Sequence, residues 1–405
     1  MVEDSTILTA TTIVNILTLR YNPTSNSILP KLSWKDFTPI NNNPSMDFIQ
    51  KTIENEIKTK IGTYDGKITI ALSGGVDSTL ALSALRKTIP NEIEAISIKF
   101  ADSVDETPQA SKIAAALNVK HTVVYIENYL AELPKAISII KLPFWDLHWY
   151  YVTKKANKIS KYLVTGDGGD ELFGGYTFRY KKFLDLINNN STPLDRTKSY
   201  LKCHERDNVP DQDKLFDKRA NFSWDVIYNQ LVTYFDNKLS ILDQVFLADY
   251  NGKLLYNFLP VNTALHNHFS LKVITPILSN EMISYTTHIP NSQKYDPTTD
   301  TGKLLLRKLL VRYKTEDLIS KTKLGFNVNT INLWKNFGRK LCKKYLSDSR
   351  IVQDKWINQS WIDAYIDRMD GLEIRYVNKF LGLLALEIWY RLFITKEMKP
   401  EETLS

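Results

Sequence analysis

A strand, a glycine-containing loop and a helix follow one another directly near residue 70, and this succession constrains the fold more than any other part of the sequence. Residues 67–72 (KITIAL) are rich in β-branched side chains and are bounded by turn residues, which predicts a short buried strand. Residues 73–78 (SGGVDS) form a loop, and the Ala/Leu-rich stretch 77–87 predicts a helix. A strand that passes straight into a helix is typical of a parallel βαβ unit.

The same alternation continues along the chain. Strands are predicted over 93–100, 121–126 and 162–165, and helices over 107–117 and 143–158. From about residue 180 onward, the strand signal fades and helical periodicity dominates. We therefore predict an α/β fold with a doubly wound parallel sheet, followed by a mostly α-helical C-terminal lobe.

The chain divides by composition into four parts. At ~150 residues per domain, 405 residues allow two or three domains. Residues 1–45 contain many Asn and Pro turns and are interpreted as a lead-in, residues 46–180 as the α/β core, residues 181–395 as the helical part, and residues 396–405 as a polar tail. The Asn-rich stretch 187–210 is predicted to be a loop or an insertion.

Composition excludes several classes of protein. With 43% hydrophobic and 24% charged residues, the chain is too apolar for intrinsic disorder, and it has no apolar run of the ~20 residues that a membrane helix needs. The N-terminus lacks a signal-peptide pattern, and two cysteines (Cys203 and Cys342) cannot form a disulfide framework, so a reducing cytoplasm is expected. The net charge of +7 suggests anionic partners, but the lysines are dispersed, so neither nucleic acid nor membrane is predicted as a partner.

The loop at 73–78 has the chemistry of a phosphate site. Its two glycines and the N-terminus of the following helix direct backbone N–H groups into the loop, and its two serines add hydroxyl donors. Asp77 can hold Mg²⁺ against phosphates. A plain βα turn with a serine cap is the alternative, and it accounts less well for glycines, serines and an aspartate in one loop.

This loop resembles the pyrophosphate loop of the ATP pyrophosphatases, which cleave ATP to AMP and pyrophosphate. A second motif narrows the resemblance, because residues 165–176 (TGDGGDELFGGY) match the G-[DE]-G-x-D-E-L-F-G-G-Y signature of class B asparagine synthetases. Residues 321–326 (KTKLGF) resemble that family's [RK]-x-K-x-G-F, and residues 302–308 (GKLLLRK) resemble its helix ending in L-R. The likeness covers about residues 50–395 and implies an adenine nucleotide alpha-hydrolase-like sheet.

The resemblance implies that ATP adenylates a carboxylate and that ammonia or an amine then attacks the adenylate. The predicted catalytic residues are Lys323, Asp167, Asp170 and Glu171. The predicted ligands of Mg²⁺ are Asp77 and Asp170, and the predicted substrate contacts are Gly168 and Gly169. The residues predicted to bind ATP or pyrophosphate are Leu72, Ser73, Gly74, Gly75, Val76, Asp77, Ser78, Ile98, Thr165 and Gly166. Leu72, Ile98 and Gly166 are included because strand ends present backbone groups at the crevice of a parallel sheet.

The sequence departs from the family at the nitrogen-supplying step. Family members begin with a glutaminase domain whose nucleophile is the cysteine after the initiator Met, whereas position 2 here is Val2. Cys203 and Cys342 both lie within the synthetase region and are interpreted as buried small hydrophobic residues. We therefore expect the nitrogen to come from free ammonia or from a separate glutaminase subunit.

A second departure concerns the acyl substrate. The Glu and Arg of the family's S-L-E-x-R-x-P-F-L are Lys272 and Ile274 here, which predicts an altered acceptor pocket. Aspartate, giving asparagine, is the first hypothesis. A different acid, as in β-lactam synthetases or peptide cyclases, and a non-catalytic nucleotide-binding homologue are the alternatives.

Two further clusters are interpreted as structural. His266 and His268 lack the additional ligands that zinc requires and are interpreted as ordinary surface or core histidines. The aromatic residues at 144–145 and 149–151 are interpreted as packing beside the site rather than as a stacking platform.

Overall fold

Five parallel strands form the central sheet, in the order β3-β2-β1-β4-β5. The computed structural model describes residues 8–40, 42–101, 103–319, 328–368 and 373–405. The strands are β1 Ile68–Ala71, β2 Ile93–Phe100, β3 Lys120–Ile126, β4 Tyr162–Val164 and β5 Lys272–Ile274. Because the order reverses at β1 and β4, a crevice opens beyond the carboxyl ends of these two strands. The predicted doubly wound α/β fold is confirmed.

Helices surround this sheet and make up most of the second half of the chain. In chain order they are α1 Ala10–Leu19, α2 Met46–Ile61, α3 Val76–Thr88, α4 Thr107–Ala116, α5 Leu133–Ile140, α6 His148–Ala156, α7 Gly169–Phe173, α8 Thr177–Leu186, α9 Pro193–Cys203, α10 Gln212–Leu215, α11 Trp224–Leu231, α12 Ile241–Asp249, α13 Leu259–His268, α14 Asn280–Thr287, α15 Leu304–Tyr313, α16 Thr330–Leu333, α17 Arg339–Leu346, α18 Arg350–Gln353, α19 Gln359–Ile366 and α20 Ile374–Phe393. A π-helical segment, Tyr250–Phe258, joins α12 to α13. A short antiparallel pair, Tyr295–Asp296 with Thr301–Gly302, precedes α15.

The central strands are buried on both faces of the sheet. Every residue of β1 and β4 is buried, which is typical of a parallel sheet covered by helices. Helices α4 and α6 pack against the sheet, and α2, α3 and α15 pack against one another. The edge strand β3 alternates between exposed and half-buried residues, as an edge with one covered face does.

The C-terminal lobe is organised around α20, whose central turns are almost entirely buried. Its charged residues have specific partners. Glu387 accepts hydrogen bonds from the backbone N–H groups of Arg350 and Ile351 at the start of α18, and Lys379 donates to the carbonyl of Leu17. The second contact joins α20 to α1, so the described part of the predicted lead-in, from residue 8 onward, packs against this lobe.

Two predictions about secondary structure were wrong. The stretch 187–210, predicted as a loop, contains α9, which begins with Pro193 after a capping box between Thr192 and Asp195. The strand β5 was missed because its three residues form a strand only by pairing with β4. Among the helices that the structure describes, none has both the length and the apolar character needed to cross a bilayer.

Candidate active site

The loop at 73–78 lies at the carboxyl end of β1, where it turns into α3. Ser78 accepts a hydrogen bond from the backbone N–H of Ser73 at 3.2 Å, which closes the loop over the first turn of the helix. Gly74 has φ +82°, a left-handed conformation that favours glycine. Asp77 stands in the first turn of α3. The loop thus passes directly into the N-terminus of a helix, an arrangement that suits phosphate, and its binding of phosphate stays a prediction.

A second loop, at the end of β4, is in direct contact with the first. Gly168 has φ +91°, again in the left-handed region. A Cβ atom on Gly166 would lie 2.7 Å from the backbone carbon of Asp77, and one on Gly169 would lie 2.3 Å from its Oδ1. Glycine is therefore required at both positions for the two loops to approach each other.

We expect Gly166→Ala to separate these loops. Its Cβ would meet backbone atoms of Asp77 and Ser78 at 2.7 and 2.8 Å, so the main chain must move. The predicted result is a loss of about 1–3 kcal/mol in the free energy of unfolding and a weaker affinity for ATP, measured by calorimetric titration.

Gly382→Ala is the matched control for Gly166→Ala. This glycine lies within α20, and its added Cβ would meet only Leu17 at 3.5 Å, an ordinary contact. Alanine should stabilise the helix by roughly 0.5–1 kcal/mol and leave ATP affinity unchanged. Unchanged ATP affinity in Gly166→Ala would contradict the proposed need for close loop contact.

Lys303 connects the two loops electrostatically. Its ammonium group forms an ion pair with Asp77 and a second one with Asp170, at 2.8 Å from Oδ1. The lysine side chain is only 9% exposed. Although burial opposes it, the two carboxylates raise the pKa of Lys303 above its usual value, so the amine stays charged. The site therefore holds two acids and one buried cation at a single point.

Lys303 was not among the residues predicted from the sequence. It stands in the left-handed region with φ +57° just before α15, and its backbone N–H donates to the carbonyl of Phe173 at 3.1 Å. The signal that could have found it was charge balance, because carboxylates crowded on glycine loops require a nearby cation. The GKLLLRK segment contains that lysine.

The acids of the second loop differ in environment. Oδ2 of Asp167 accepts hydrogen bonds from the Thr165 hydroxyl at 3.1 Å and from the Asn262 amide at 3.2 Å. Burial nevertheless raises the pKa of Asp167 to about 6. Burial and the charge of Asp170 raise the pKa of Glu171 to about 7, and its Oε1 accepts a hydrogen bond from Tyr176 at 2.5 Å.

Both loops open into one cavity of about 1030 Å³. The predicted site residues that line it are Ser73, Gly74, Gly75, Val76, Asp77, Ser78, Asp167 and Asp170. The other predicted residues that the structure describes do not line it: Leu72, Ile98, Thr165, Gly166, Gly168, Gly169 and Glu171. Two of them contact lining residues directly: the Thr165 hydroxyl donates to Asp167, and Gly169 lies against the Asp77 carboxylate. Lys323 and the motif at 321–326 lie outside the described residues.

Several lining residues come from parts of the sequence where no site was predicted. The π-helical segment contributes Lys253, Asn257 and Phe258, and π-helical turns are frequent at functional sites. Other unpredicted polar side chains of the cavity are Arg20, Glu106, Asp146, His148, Arg179, Arg206, Asn262 and Arg307. Cys203 also lines it, so its interpretation as a buried hydrophobic residue holds only for Cys342. Burial raises the pKa of Cys203 to about 12, which keeps the thiol protonated.

The predicted alteration of the acceptor pocket at Lys272 and Ile274 was wrong in its location. Lys272 is exposed on the edge strand β5, with Nζ 5.3 Å from the ring centre of Tyr162. Ile274 is 2% exposed and belongs to the core. Neither residue lines the cavity, so these two substitutions do not alter its described wall.

The histidine pair and the aromatic stretch, both interpreted as structural, lie in different environments. Burial lowers the pKa of His266 to about 4, which fits a core histidine, and His268 is exposed. Phe144, Trp145 and Trp149 line the cavity. Tyr150 and Tyr151 instead pack in the core, so the aromatic stretch is divided between the two environments.

The donor set at Asp77 and Asp170 fits the predicted Mg²⁺. Both carboxylates reach one ammonium group, so their oxygen atoms converge on a point suited to a cation. Within the described residues there is no group of three or more His, Cys, Asp or Glu side chains arranged for a metal ion. Mg²⁺ is commonly held by one or two carboxylates together with substrate phosphates. The two aspartates thus suit a metal that arrives with ATP, and its presence stays a prediction.

Comparison with known proteins gives consistent matches over most of the chain. The family model described as asparagine synthase matches residues 50–391. The asparagine synthetase [glutamine-hydrolyzing] 1 of Bacillus subtilis is 26% identical over 406 aligned positions, which cover 88% of this chain and 61% of that protein. A putative asparagine synthetase [glutamine-hydrolyzing] of Mycobacterium bovis is 22% identical over 92% of this chain and 62% of its own length. The chain thus spans about three fifths of these relatives.

Among solved structures, the NMN synthetase of Francisella tularensis matches with a TM-score of 0.28 and 20% identity, over 58% of this chain and 99% of that one. The NH3-dependent NAD synthetase of Campylobacter jejuni matches with a TM-score of 0.24 and 16% identity, over 42% and 90%. Because both scores are low, the fold assignment depends on the sheet order and register described above.

Proposed function

The chain belongs to the asparagine synthase family, and on that premise we propose that it is an ATP-dependent ligase that converts aspartate and ammonia into asparagine, AMP and pyrophosphate. The observation that carries the proposal is the convergence of the two strand-end loops on Lys303 in one cavity. Ammonia is the proposed nitrogen source, supplied free or by a separate glutaminase subunit.

In the first half-reaction, a carboxylate oxygen attacks the α-phosphorus of ATP and pyrophosphate leaves. The backbone N–H groups of residues 73–78 and the N-terminus of α3 are placed to hold pyrophosphate, and the charge of Lys303 offsets its negative charge. Mg²⁺ held by Asp77 and Asp170 would add further neutralisation when bound with ATP. Catalysis here consists of positioning and charge stabilisation.

In the second half-reaction, nitrogen attacks the acyl carbon and AMP leaves. Asp167 and Asn262 face this reaction from the cavity wall, with the Asn262 amide donating to Oδ2 of Asp167. From the family motif we assign Lys323 the role of stabilising the charge that develops between phosphate and carbonyl.

Two features support aspartate as the acid. Lys272 and Ile274, the substitutions that suggested another acceptor, do not line the cavity. Arg179, Arg206 and Lys253 do line it, and cationic side chains complement a substrate that carries two carboxylates. The wall also carries acids, Glu106 and Asp300 among them, so its mixed charge suits an amino acid that bears an ammonium group as well as carboxylates.

Isotope exchange between ATP and pyrophosphate tests the proposal. We expect exchange that depends on aspartate, and asparagine formed in equal amount with AMP when ammonium is added but not when glutamine is added. Glutamate and other carboxylic acids serve as comparison substrates. Exchange with another acid alone would replace aspartate as the substrate, and no exchange with any acid would contradict the ligase assignment.

A further inference from the structure

A histidine–aspartate pair lines the cavity and has no part in the steps described above. Nδ1 of His148, the first residue of α6, lies 2.8 Å from Oδ1 of Asp146. Both side chains are among those that line the cavity. His148 is 16% exposed, so its ring is largely enclosed while remaining in contact with the cavity. The pair lies at the start of α6, whereas the two loops follow β1 and β4.

Asp146 is held by two groups from other parts of the chain, the Tyr129 hydroxyl and the Arg20 guanidinium. The hydroxyl of Tyr129 donates to Oδ1 at 2.7 Å, and that hydroxyl in turn accepts from the backbone N–H of Leu147. Arg20 reaches Oδ2 at 3.6 Å. Burial opposes the charge of Asp146, but His148, Arg20 and Tyr129 together hold its pKa well below its usual value. The carboxylate is therefore a permanent anion in a defined orientation.

This anion determines the protonation pattern of the imidazole. A neutral histidine that donates Nδ1–H to a carboxylate has its lone pair on Nε2, which makes Nε2 the basic nitrogen. Burial raises the pKa of Asp167, and the charge of His148 opposes that rise. The imidazole is therefore within electrostatic range of Asp167, and both side chains line the same cavity.

We propose that His148, oriented by Asp146, is the general base that removes a proton from the attacking nitrogen during amide formation, an inference that rests on the proposed ligase function. The nitrogen lone pair forms the bond to the acyl carbon, and an N–H proton passes to Nε2. The bond between the acyl carbon and the phosphate oxygen breaks, and its electron pair leaves with AMP. The proton on Nε2 is then lost to solvent, which restores the base.

A purely structural role makes a different prediction. If the pair only joined α6 to the segment around Arg20, a side chain that keeps the hydrogen bond to Asp146 would be sufficient. Asparagine and glutamine retain an N–H donor but cannot take up a proton. His148→Asn and His148→Gln therefore separate the structural contribution of the side chain from its chemistry.

The test measures the two half-reactions separately on the full chain, with aspartate, ATP and ammonium chloride. ATP–pyrophosphate exchange reports adenylation, and asparagine formed per pyrophosphate released reports the attack by nitrogen. For both variants we expect exchange within about threefold of the parent and amide formation reduced on the order of 10²-fold. His121→Gln is the matched control, because His121 on β3 contacts Ser97 on β2 and Ser111 on α4 and does not line the cavity.

The outcomes are distinguishable. Amide formation close to the parent rate in either variant, or an equal fall in both half-reactions, would overturn the role of His148. Absence of exchange in the parent with every acid would overturn the ligase function itself, and the role of His148 with it. If thermal unfolding shows that both His148 variants are unfolded, Asp146→Asn decides, because it keeps the shape but removes the charge that orients the imidazole. That variant should lose amide formation and retain exchange.

Discussion

Replacement of Lys303 by methionine is expected to lower ATP–pyrophosphate exchange by about 10³-fold, the loss seen when a preorganised charge-stabilising donor is removed from an active site. Methionine keeps most of the apolar stem but lacks the charge that pairs with Asp77 and Asp170. Without the ammonium group of Lys303, two carboxylates lie beside the position where the charge of pyrophosphate develops. Both substrate binding and the transition state should therefore be opposed by like charges.

The same variant provides a measurement that needs no turnover. Loss of the ammonium leaves two partly buried acids facing each other, which should lower the free energy of unfolding by on the order of 3 kcal/mol. Mg²⁺ added without nucleotide should stabilise Lys303→Met more than the parent, because the metal can occupy the point left by the ammonium. Thermal unfolding with and without MgCl₂ measures this difference.

Lys294→Met is the matched control for Lys303→Met. Lys294 is also buried, at 1% exposure, but burial lowers its pKa to about 8, and it forms no ion pair with another described residue. Its replacement should retain exchange and show no added stabilisation by Mg²⁺. If Lys303→Met behaved in the same way, the two aspartates would not require this lysine, and the proposed arrangement of the site would be wrong.

Both loops could be predicted from the sequence because the residues of each loop are consecutive in the chain. A strand, two glycines and a helix occur in order at 68–88, so the backbone itself places Ser73, Gly74 and Asp77 at a strand end. In the same way, the signature at 165–176 directly follows β4, which places its residues at the end of that strand. Eight of the residues predicted from these two loops line the cavity as a consequence.

Lys303 could not be placed by the same reasoning. It is 226 positions from Asp77 along the chain, and only the packing of α15 against α3 brings them together. Strand β5 was missed for a similar reason, because its three residues gain strand character from β4 rather than from their own pattern. Leu72, Ile98 and Glu171 were predicted within the correct elements, but their side chains point into the core or toward Tyr176.

Asparagine in place of Asp167 is expected to make the protein more stable and to remove most of its ability to form the amide. Oδ2 of Asp167 accepts from Thr165 and Asn262, and the carbonyl oxygen of asparagine can accept both bonds. What is lost is the carboxylate charge, which burial opposes. The variant should therefore fold more stably at neutral pH and give amide at a rate on the order of 10²-fold lower.

The pH dependence of stability tests whether burial of the Asp167 carboxylate is the cause of the expected gain in stability. Because burial raises the pKa of Asp167 to about 6, the folded protein keeps a proton between about pH 4 and 6 that the unfolded chain has released. Folded stability should therefore decrease as pH rises through this window, by on the order of 3 kcal/mol from this group. Asp167→Asn has no such proton to lose, so the part of the slope due to this group should disappear.

The comparison variant is Asp300→Asn, which removes a carboxylate from the same cavity, where Asp300 accepts from the Tyr295 hydroxyl at 2.9 Å. Urea unfolding of the three proteins at several pH values supplies the measurement. We expect the parent and Asp300→Asn to show the same slope between pH 4 and 6, and Asp167→Asn to show a smaller one. An unchanged slope in Asp167→Asn would mean that its carboxyl is solvated like an ordinary surface acid. Its replacement would then act on the reaction without any gain in stability, because no desolvation penalty would be relieved.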